Sequence, residues 1–203
     1  MITKLLNRVL LIAVVVMMSA CKPIWYKPAD SAETLWQQRS VKLAALDNWS
    51  IKGRTAITQG TEGWNAGLNW QDLPERYQIA LTGPFAQGGA VLTGDNKQVV
   101  LTMADGATVS AATPEALLKD NLGIHMPVSA LRDWVRGLPY QKYPVDSMQL
   151  DIEGRITQLK QKDWQIEILR YVPFEGYYMP AKIFIKHPDI NLKLVIRDWE
   201  RAK

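Results

Sequence analysis

The one cysteine of this 203-residue chain, Cys21, has neighbours that favour lipid attachment. Two basic residues and an apolar run of ten residues come first, and Ser19 and Ala20 are the small residues that a signal peptidase needs beside its cut. Residues 18–21 resemble the lipobox, in which the cysteine thiol receives a diacylglycerol and the freed amine is acylated. We therefore predict a cleaved lipoprotein signal at 1–20 and lipid on Cys21. The alternative is an ordinary signal peptide followed by a chance cysteine.

Residues that could catalyse a reaction or hold a metal ion are not grouped along the sequence. The two histidines, His125 and His187, have no cysteine or second histidine at metal-ligand spacing, and a single cysteine permits no internal disulfide. Nucleophile-elbow, P-loop and dinucleotide-binding motifs do not occur, and no pair of acidic residues suggests a general acid and base. We expect no metal, no cofactor and no enzymatic activity.

Charge and composition favour a single domain tethered to a membrane by lipid. The predicted signal contains two of the 24 basic residues and none of the 20 acidic ones, so the predicted mature chain is almost neutral. Basic residues are scattered along the sequence, which gives nucleic-acid binding no support. No second apolar run approaches the roughly 20 residues that span a bilayer. Residues 21–30, with two prolines and no periodicity, are predicted to be a tether, and 31–203 one domain.

Alternation of apolar and polar residues predicts a meander of short antiparallel strands, each with one buried face. The predicted strands are 49–57, 64–70, 76–82, 89–94, 97–103, 106–110, 148–159, 163–171, 180–187 and 190–199.

Three helices accompany these strands. A capping-box pattern at 30–33 predicts a helix that continues to about Leu46. Thr113 is expected to cap a second helix that ends at Gly123, and residues 128–136 are expected to form a third. About ten or eleven strands with three helices predict a mainly β protein of the α+β class, built on one highly curved antiparallel sheet. Such a sheet can enclose a ligand.

Two apolar features have open interpretations. Most of the eight tryptophans occupy inward-facing positions, where they either pack a core or line an apolar cavity beneath the short helices. Phe85 lies in the turn 82–89, which joins two strands and should face solvent at its tip. Its ring either folds back onto the sheet edge or inserts into an apolar partner.

A series of short motifs, in a fixed order, runs through nearly the whole predicted mature chain. The motifs are Gly53-Arg54, Trp70-Gln71, Tyr77–Leu81, Gly83-Pro84-Phe85, Gly123, Met126-Pro127, Leu131–Pro139, Trp164, Met179-Pro180 and Asp198-Trp199. With these motifs the chain resembles the LolB family of outer-membrane lipoproteins, which receive other lipoproteins from the periplasmic carrier LolA. The run from Leu131 to Pro139 is the most specific of them.

The resemblance implies an incomplete antiparallel barrel, with helices as a lid over an apolar cavity that holds the acyl chains of a lipoprotein in transit. Candidate lining residues are Trp49, Ile51, Leu68, Trp70, Ile79, Leu81, Leu131, Trp134 and Trp164. Gly83, Pro84 and Phe85 would form the loop that engages the membrane, with Phe85 where the family usually has Leu.

The resemblance also implies partners and a location. The expected partners are LolA, the acyl chains of client lipoproteins and outer-membrane phospholipid, and the chain is expected to act as a monomer. Cys21 favours LolB over the soluble carrier, which shares the fold but has no lipid anchor. Lys22 differs from the Asp that typically retains lipoproteins at the inner membrane. We therefore expect a lipid-anchored protein on the periplasmic side of the outer membrane of a Gram-negative bacterium.

Two other classes of function stay open at this point. One is a lipid-anchored envelope scaffold or assembly subunit that binds protein and carries no lipid. The other is a lipid-modifying enzyme with its catalytic groups on loops.

Overall fold

The computed structural model describes residues 30–83 and 88–202. The predicted signal at 1–20, Cys21, the tether as far as residue 29, Pro84 and Phe85 lie outside the described residues. Eleven strands are described: β1 (Trp49–Gln59), β2 (Glu62–Asp72), β3 (Arg76–Thr82), β4 (Ala90–Asp95), β5 (Val99–Met103), β6 (Thr108–Ala111), β7 (Ser147–Leu150), β8 (Ile156–Gln161), β9 (Trp164–Phe174), β10 (Tyr177–Lys186) and β11 (Ile190–Glu200). The described helices are α1 (Ala32–Ala44), α2 (Pro114–Leu122) and α3 (Val128–Trp134).

All described strands belong to one antiparallel sheet with the order β6-β5-β4-β3-β2-β1-β11-β10-β9-β8-β7. The strands β1–β6 form one meander and β7–β11 a second, and the pairing of β1 with β11 joins them. The sheet is open, because its two edges, β6 and β7, each have only one neighbour among the described strands. Each edge strand is only four residues long, which limits the row of unpaired backbone groups. The predicted mainly β fold with a single open sheet is confirmed.

Strand register places apolar side chains in continuous rows on the inner face of the sheet. One row crosses six strands through Ile51, Trp70, Ile79, Leu92, Leu101 and Val109. A second row begins on β1 and continues across the other meander, through Ile57, Leu192, Ile185, Ile166, Leu159 and Met148. A single sheet can shield such rows from water only by curving around them, and the three helices cover what the curvature leaves open.

The three helices begin where short polar side chains or proline favour a start. The N-cap of α1 is Ser31, whose hydroxyl accepts a hydrogen bond from Thr34 N at 3.2 Å, so the cap is the second residue of the predicted capping box at 30–33 and not the first. Thr113 caps α2, and Gly123 ends it in the left-handed conformation with φ 65°, as predicted. None of the helices among residues 30–83 and 88–202 has the length and apolar character to cross a membrane.

The predicted strand at 148–159 is wrong, because it consists of two strands, β7 and β8, joined by a tight turn. The Asp151 carboxylate accepts hydrogen bonds from the backbone N of Glu153 and of Arg155, each at 2.9 Å, and from Arg155 Nε at 2.7 Å. Gly154 completes the turn with φ 68°. An Asp side chain that captures backbone N–H groups ends a strand that apolar alternation alone would continue.

Gly53 allows the two meanders to approach each other. Between Lys52 and Gly53 the β1–β11 register shifts by one residue, and a Cβ added at Gly53 would lie 2.2 Å from the carbonyl oxygen of Val195. At Gly63, on β2, the nearest atom to an added Cβ is 3.9 Å away.

We expect Gly53→Ala to lower the free energy of unfolding by about 2 to 3 kcal/mol, because backbone and not a flexible side chain would have to move. Gly63→Ala is the matched control and should change it by less than about 0.5 kcal/mol. Urea unfolding of both variants, followed by tryptophan fluorescence, measures the difference. Equal stabilities would show that the close approach at Gly53 is unimportant.

Candidate ligand cavity

An apolar cavity of about 110 Å³ lies between the inner face of the sheet and the helices α2 and α3. Its floor is formed by Thr55, Ile57, Leu68, Trp70, Ile79, Leu81, Ala90, Leu92, Leu101, Leu192 and Leu194. Its roof is formed by Leu118, Leu122, Ile124, Met126, Val128 and Leu131. Apart from Thr55, these lining residues are all hydrophobic, so the cavity suits a hydrocarbon ligand and offers water little.

Local sequence rules place the lining side chains. On β2 to β5 the lining residues alternate with outward-facing residues, as the period of a strand requires. On α2, Leu118 and Leu122 are four residues apart and therefore point from one side of the helix. Both are only partly buried, whereas the other roof residues are buried, so α2 forms the more exposed part of the roof.

The candidate lining residues divide into two groups. Five of them line the cavity: Leu68, Trp70, Ile79, Leu81 and Leu131. The other four, Trp49, Ile51, Trp134 and Trp164, are buried but do not line it.

The three candidate tryptophans that do not line the cavity lie in two aromatic clusters. Trp49 packs against Trp70 and Trp199, with ring centroids 5.2 and 5.5 Å apart. Trp134 packs against Trp164 at 5.7 Å. Both clusters belong to the hydrophobic core, and Trp70 belongs both to the first cluster and to the cavity wall.

Sequence reasoning missed most of the roof. The sequence predicts no cavity role for Leu118, Leu122, Ile124 or Met126, although the spacing of Leu118 and Leu122 is that of an apolar stripe on α2. On the floor, the alternation that identifies β4 and β5 also places Leu92 and Leu101 inward, in the same row as the candidate lining residue Ile79.

A half-buried ion pair fastens α3 to the sheet. Arg132 donates from Nε and Nη2 to the two carboxylate oxygens of Asp72, both at 2.7 Å. The Asp72 side chain is 5 % exposed and that of Arg132 38 % exposed, so the pair lies at the boundary between core and solvent. The Arg132 guanidinium also lies over the ring of Tyr77, 5.3 Å from its centroid.

Tyr77 is held as a neutral phenol beside this ion pair. Burial, together with the neighbouring Glu115 carboxylate, raises the pKa of Tyr77 to about 12. Glu115 in turn accepts a hydrogen bond from Ser129 N at 2.8 Å, which links the first turn of α2 to α3. The two helices therefore form one connected lid.

Amide side chains fasten the lid at two further points. Gln59, at the end of β1, donates from Nε2 to Gly123 O at 2.8 Å. Gln161, which is fully buried, accepts from Trp134 Nε1 at 2.8 Å and from Tyr140 N at 2.9 Å. Its own amide donates to Tyr140 O and Tyr143 O, both at 2.9 Å. With all its hydrogen-bonding capacity in use, Gln161 makes the α3 end of the lid the firmer one.

Two polar atoms beside the cavity have no hydrogen-bond partner among the described residues, namely Thr55 Oγ1 and Trp70 Nε1. A buried polar atom without a partner destabilises the fold by about 1 to 3 kcal/mol. Within the described part of the chain, His, Cys, Asp and Glu residues form no group of three or more that could hold a metal ion.

Gly83 and Gly88 are the described residues on either side of the gap in the turn that contains the predicted membrane loop. Gly83 follows β3 with φ 127° and is exposed to solvent. Gly89, just before β4, has φ 125°, and an added Cβ would lie 2.5 Å from Leu81 O. Only a glycine fits this return to the sheet without strain.

Comparison with known proteins identifies the family. The family model described as "Outer membrane lipoprotein LolB" matches residues 47–199. The chain is 34% identical over 203 residues to the outer-membrane lipoprotein LolB of Pseudomonas savastanoi pv. phaseolicola, covering 98% of each chain. It is 35% identical over 187 residues to that of Nitrosococcus oceani, covering 91% of this chain and 92% of the relative.

Solved structures agree in fold. A LolA superfamily protein from Nitrosomonas europaea matches with a TM-score of 0.50 and 8% identity, over 86% of this chain and 94% of the other. A DUF1329 family protein from Desulfovibrio piger matches with a TM-score of 0.52 and 8% identity, over 87% and 94%. The match to the family model and the identity to full-length relatives together show that this chain belongs to the LolB family of outer membrane lipoproteins.

Proposed function

We propose that this protein is an outer-membrane lipoprotein receptor, which accepts lipoproteins from the periplasmic carrier LolA and inserts them into the outer membrane. Lipid on Cys21 would hold it at that membrane, facing the periplasm. The observation that carries the proposal is the apolar cavity beneath the helical lid in a chain of the LolB family. The proposed activity is binding and release of acyl chains, without a chemical step.

Hydrophobic burial explains why a cavity is needed. Each methylene group transferred from water to an apolar environment gains about 0.8 kcal/mol, so exposing one acyl chain of ordinary length costs roughly 10 kcal/mol. A triacylated protein therefore cannot cross the aqueous periplasm uncovered. A cavity lined by hydrophobic residues covers the chains at each stage of transfer.

The size of the cavity implies that the lid moves when a ligand enters. A cavity of about 110 Å³ is smaller than the ~150 Å³ cavity that accommodates one benzene molecule. It therefore has room for only part of an acyl chain. The additional space can come from the roof, where Leu118 and Leu122 are only partly buried, since the floor is a continuous hydrogen-bonded sheet.

The Arg132–Asp72 ion pair is placed to control this movement. It joins α3 to β2 beside the cavity, and lifting the lid breaks both of its hydrogen bonds. Arg132 is more than one-third exposed, so water can solvate it when the pair opens, and the pair resists opening less than a fully buried one would.

Insertion into the membrane is assigned to the loop that contains Gly83, Pro84 and Phe85. Gly83 is exposed at the end of β3, so the part of this loop that the structure describes meets solvent. An apolar side chain at such a position can enter the bilayer. Transfer needs no energy source if the cavity binds acyl chains less tightly than the bilayer does.

Filling the cavity should block ligand binding. We expect Ala90→Phe to reduce the affinity for a fluorescent fatty acid at least about tenfold, because the added ring occupies space that the hydrocarbon needs. Ala80→Phe is the matched control, since Ala80 lies on the neighbouring strand but on its outer face. Fluorescence titration of both variants tests this, and undiminished binding by Ala90→Phe would contradict a role of the cavity.

Breaking the ion pair should loosen the lid. We expect Arg132→Gln to speed amide hydrogen exchange in residues 113–138 by about fivefold or more, because two charge-assisted hydrogen bonds are lost from a half-exposed pair. Exchange in β8 to β10 should be unchanged. Arg155→Gln, which breaks the Asp151 ion pair outside the lid, serves as control. If lid exchange responds equally to both variants, the ion pair does not fasten the lid.

A charge at the loop should separate acceptance of a lipoprotein from its insertion. We expect Phe85→Glu to bind the carrier and accept a labelled lipoprotein but to fail in delivering it to membranes, because a carboxylate is costly to place in hydrocarbon. Phe85→Leu should transfer normally. Transfer from loaded carrier to outer-membrane vesicles is the measurement. Normal delivery by Phe85→Glu would contradict the role of the loop.

A further inference from the structure

The sheet gathers basic residues that are scattered in the sequence onto one part of its outer face. Arg54 lies on β1, Arg170 on β9, Lys182 and Lys186 on β10, and Lys193 and Arg197 on β11. All six are exposed. No carboxylate of a described residue forms an ion pair with any of them. We call these six residues the cationic face.

Strand register brings these charges close together. Arg54 is paired with Val195, Val195 with Lys182, and Lys182 with Arg170, so one row across four strands carries three cations. Neighbouring strands are about 4.8 Å apart, so this row spans only about 15 Å. Three carboxylates share this part of the face: Glu167 lies opposite Phe184, Asp198 lies opposite Lys52, and Glu200 is paired with Lys52 at 3.0 Å.

The other half of the same outer face is uncharged between its ends. Outward positions 65, 67, 69 and 71 of β2, 78, 80 and 82 of β3, 91 and 93 of β4, and 100 and 102 of β5 hold only Asn, Gln, Thr, Gly, Ala and Val. Solubility alone does not require the charged residues of the outer face to be concentrated on one half of the sheet. The segregation indicates that the cationic face is directed at a negatively charged surface.

The shape and composition of the face favour a lipid surface over a single acidic protein group. The cations are spread across a sheet face instead of converging on a pocket. Apolar side chains lie between them: Val195 is 39% exposed, Leu169 is 47% exposed, and Phe184 lies 5.4 Å from the ammonium groups of both Lys182 and Lys193. Cations that meet phosphates, next to apolar groups that enter the head-group region shallowly, are the pattern of peripheral membrane binding.

The first helix is attached to one of the strands that carry these cations. Gly154, in the β7–β8 turn, approaches α1 so closely that an added Cβ would lie 2.5 Å from Trp36 N. Arg39 of α1 donates a hydrogen bond to the carbonyl of Tyr178 on β10. The helix that follows the tether is therefore fixed to one of the strands that carry the cationic face.

We propose that the cationic face binds anionic phospholipid head groups and holds the domain against its membrane. Each Lys or Arg near an anionic surface contributes modestly, and several together give binding that salt weakens.

The test uses the domain without residues 1–29, because the described residues from Ser31 onward form one compact unit with its own core and no lipid can then contribute. Flotation is measured with vesicles of phosphatidylcholine alone and with vesicles of equal phosphatidylcholine and phosphatidylglycerol. We expect binding only to the anionic vesicles, and release when the salt concentration is raised. Replacing Arg170, Lys182 and Lys193 by Gln should weaken binding about a hundredfold.

Controls separate this face from net charge and from the loop. The variant with Lys97, Lys119 and Lys142 replaced by Gln loses the same charge elsewhere and should bind normally. The whole comparison is repeated with Phe85→Glu, where binding by the face should persist even if the proposed loop insertion fails. Absence of binding to anionic vesicles, or equal loss in both triple variants, would overturn the proposal. So would a face variant that leaves vesicle binding intact but weakens binding to purified carrier, which would assign the face to an acidic protein.

Discussion

The pairing of β1 with β11 is the interaction on which the rest of the structure depends. These strands are the first and last of the sheet in sequence, and their register joins two meanders that would otherwise each expose an apolar face. Six strands on one side and five on the other become one sheet wide enough to curve around its own core. Gly53 permits the contact, since any side chain there would meet the backbone of Val195.

The inner face of the joined sheet is packed more tightly in one half than in the other. Around β8 to β11, Trp134, Trp164 and a set of isoleucines fill the inner face, and Gln161 ties the adjoining loop to α3. Around β2 to β5 the inner side chains are covered by Leu118 and Leu122, which are only partly buried. The tightly packed side stabilises the domain, and the cavity lies where packing is incomplete. Stability and ligand space thus come from different halves of one core.

Local patterns in the sequence are sufficient to predict most of the strands and the helix caps, because each depends on nearby residues. They cannot separate Trp49 from Trp70. Both face inward, and only the position of the lid decides which of them meets a void. Likewise, Arg54, Lys182 and Arg170 are far apart in sequence, and their assembly into one row follows from strand order and register. The 148–159 run failed as one strand because Asp151 captures backbone donors, an effect that periodicity does not detect.

The lid explains how a cavity could bind acyl chains and still release them. Opening exposes roof side chains such as Leu118 and Leu122 and breaks the Arg132–Asp72 pair, and an entering acyl chain offsets this by covering the floor that the lid leaves. The ligand gains about 0.8 kcal/mol for each methylene buried, while full exposure of one Leu side chain costs about 1.5 to 3 kcal/mol. The net binding free energy is therefore the difference between the contact of an acyl chain with the floor and the contact of the lid with the same floor. Because a bilayer offers the same burial without displacing a lid, the proposed function needs no energy source for the transfer of acyl chains from the cavity to the membrane.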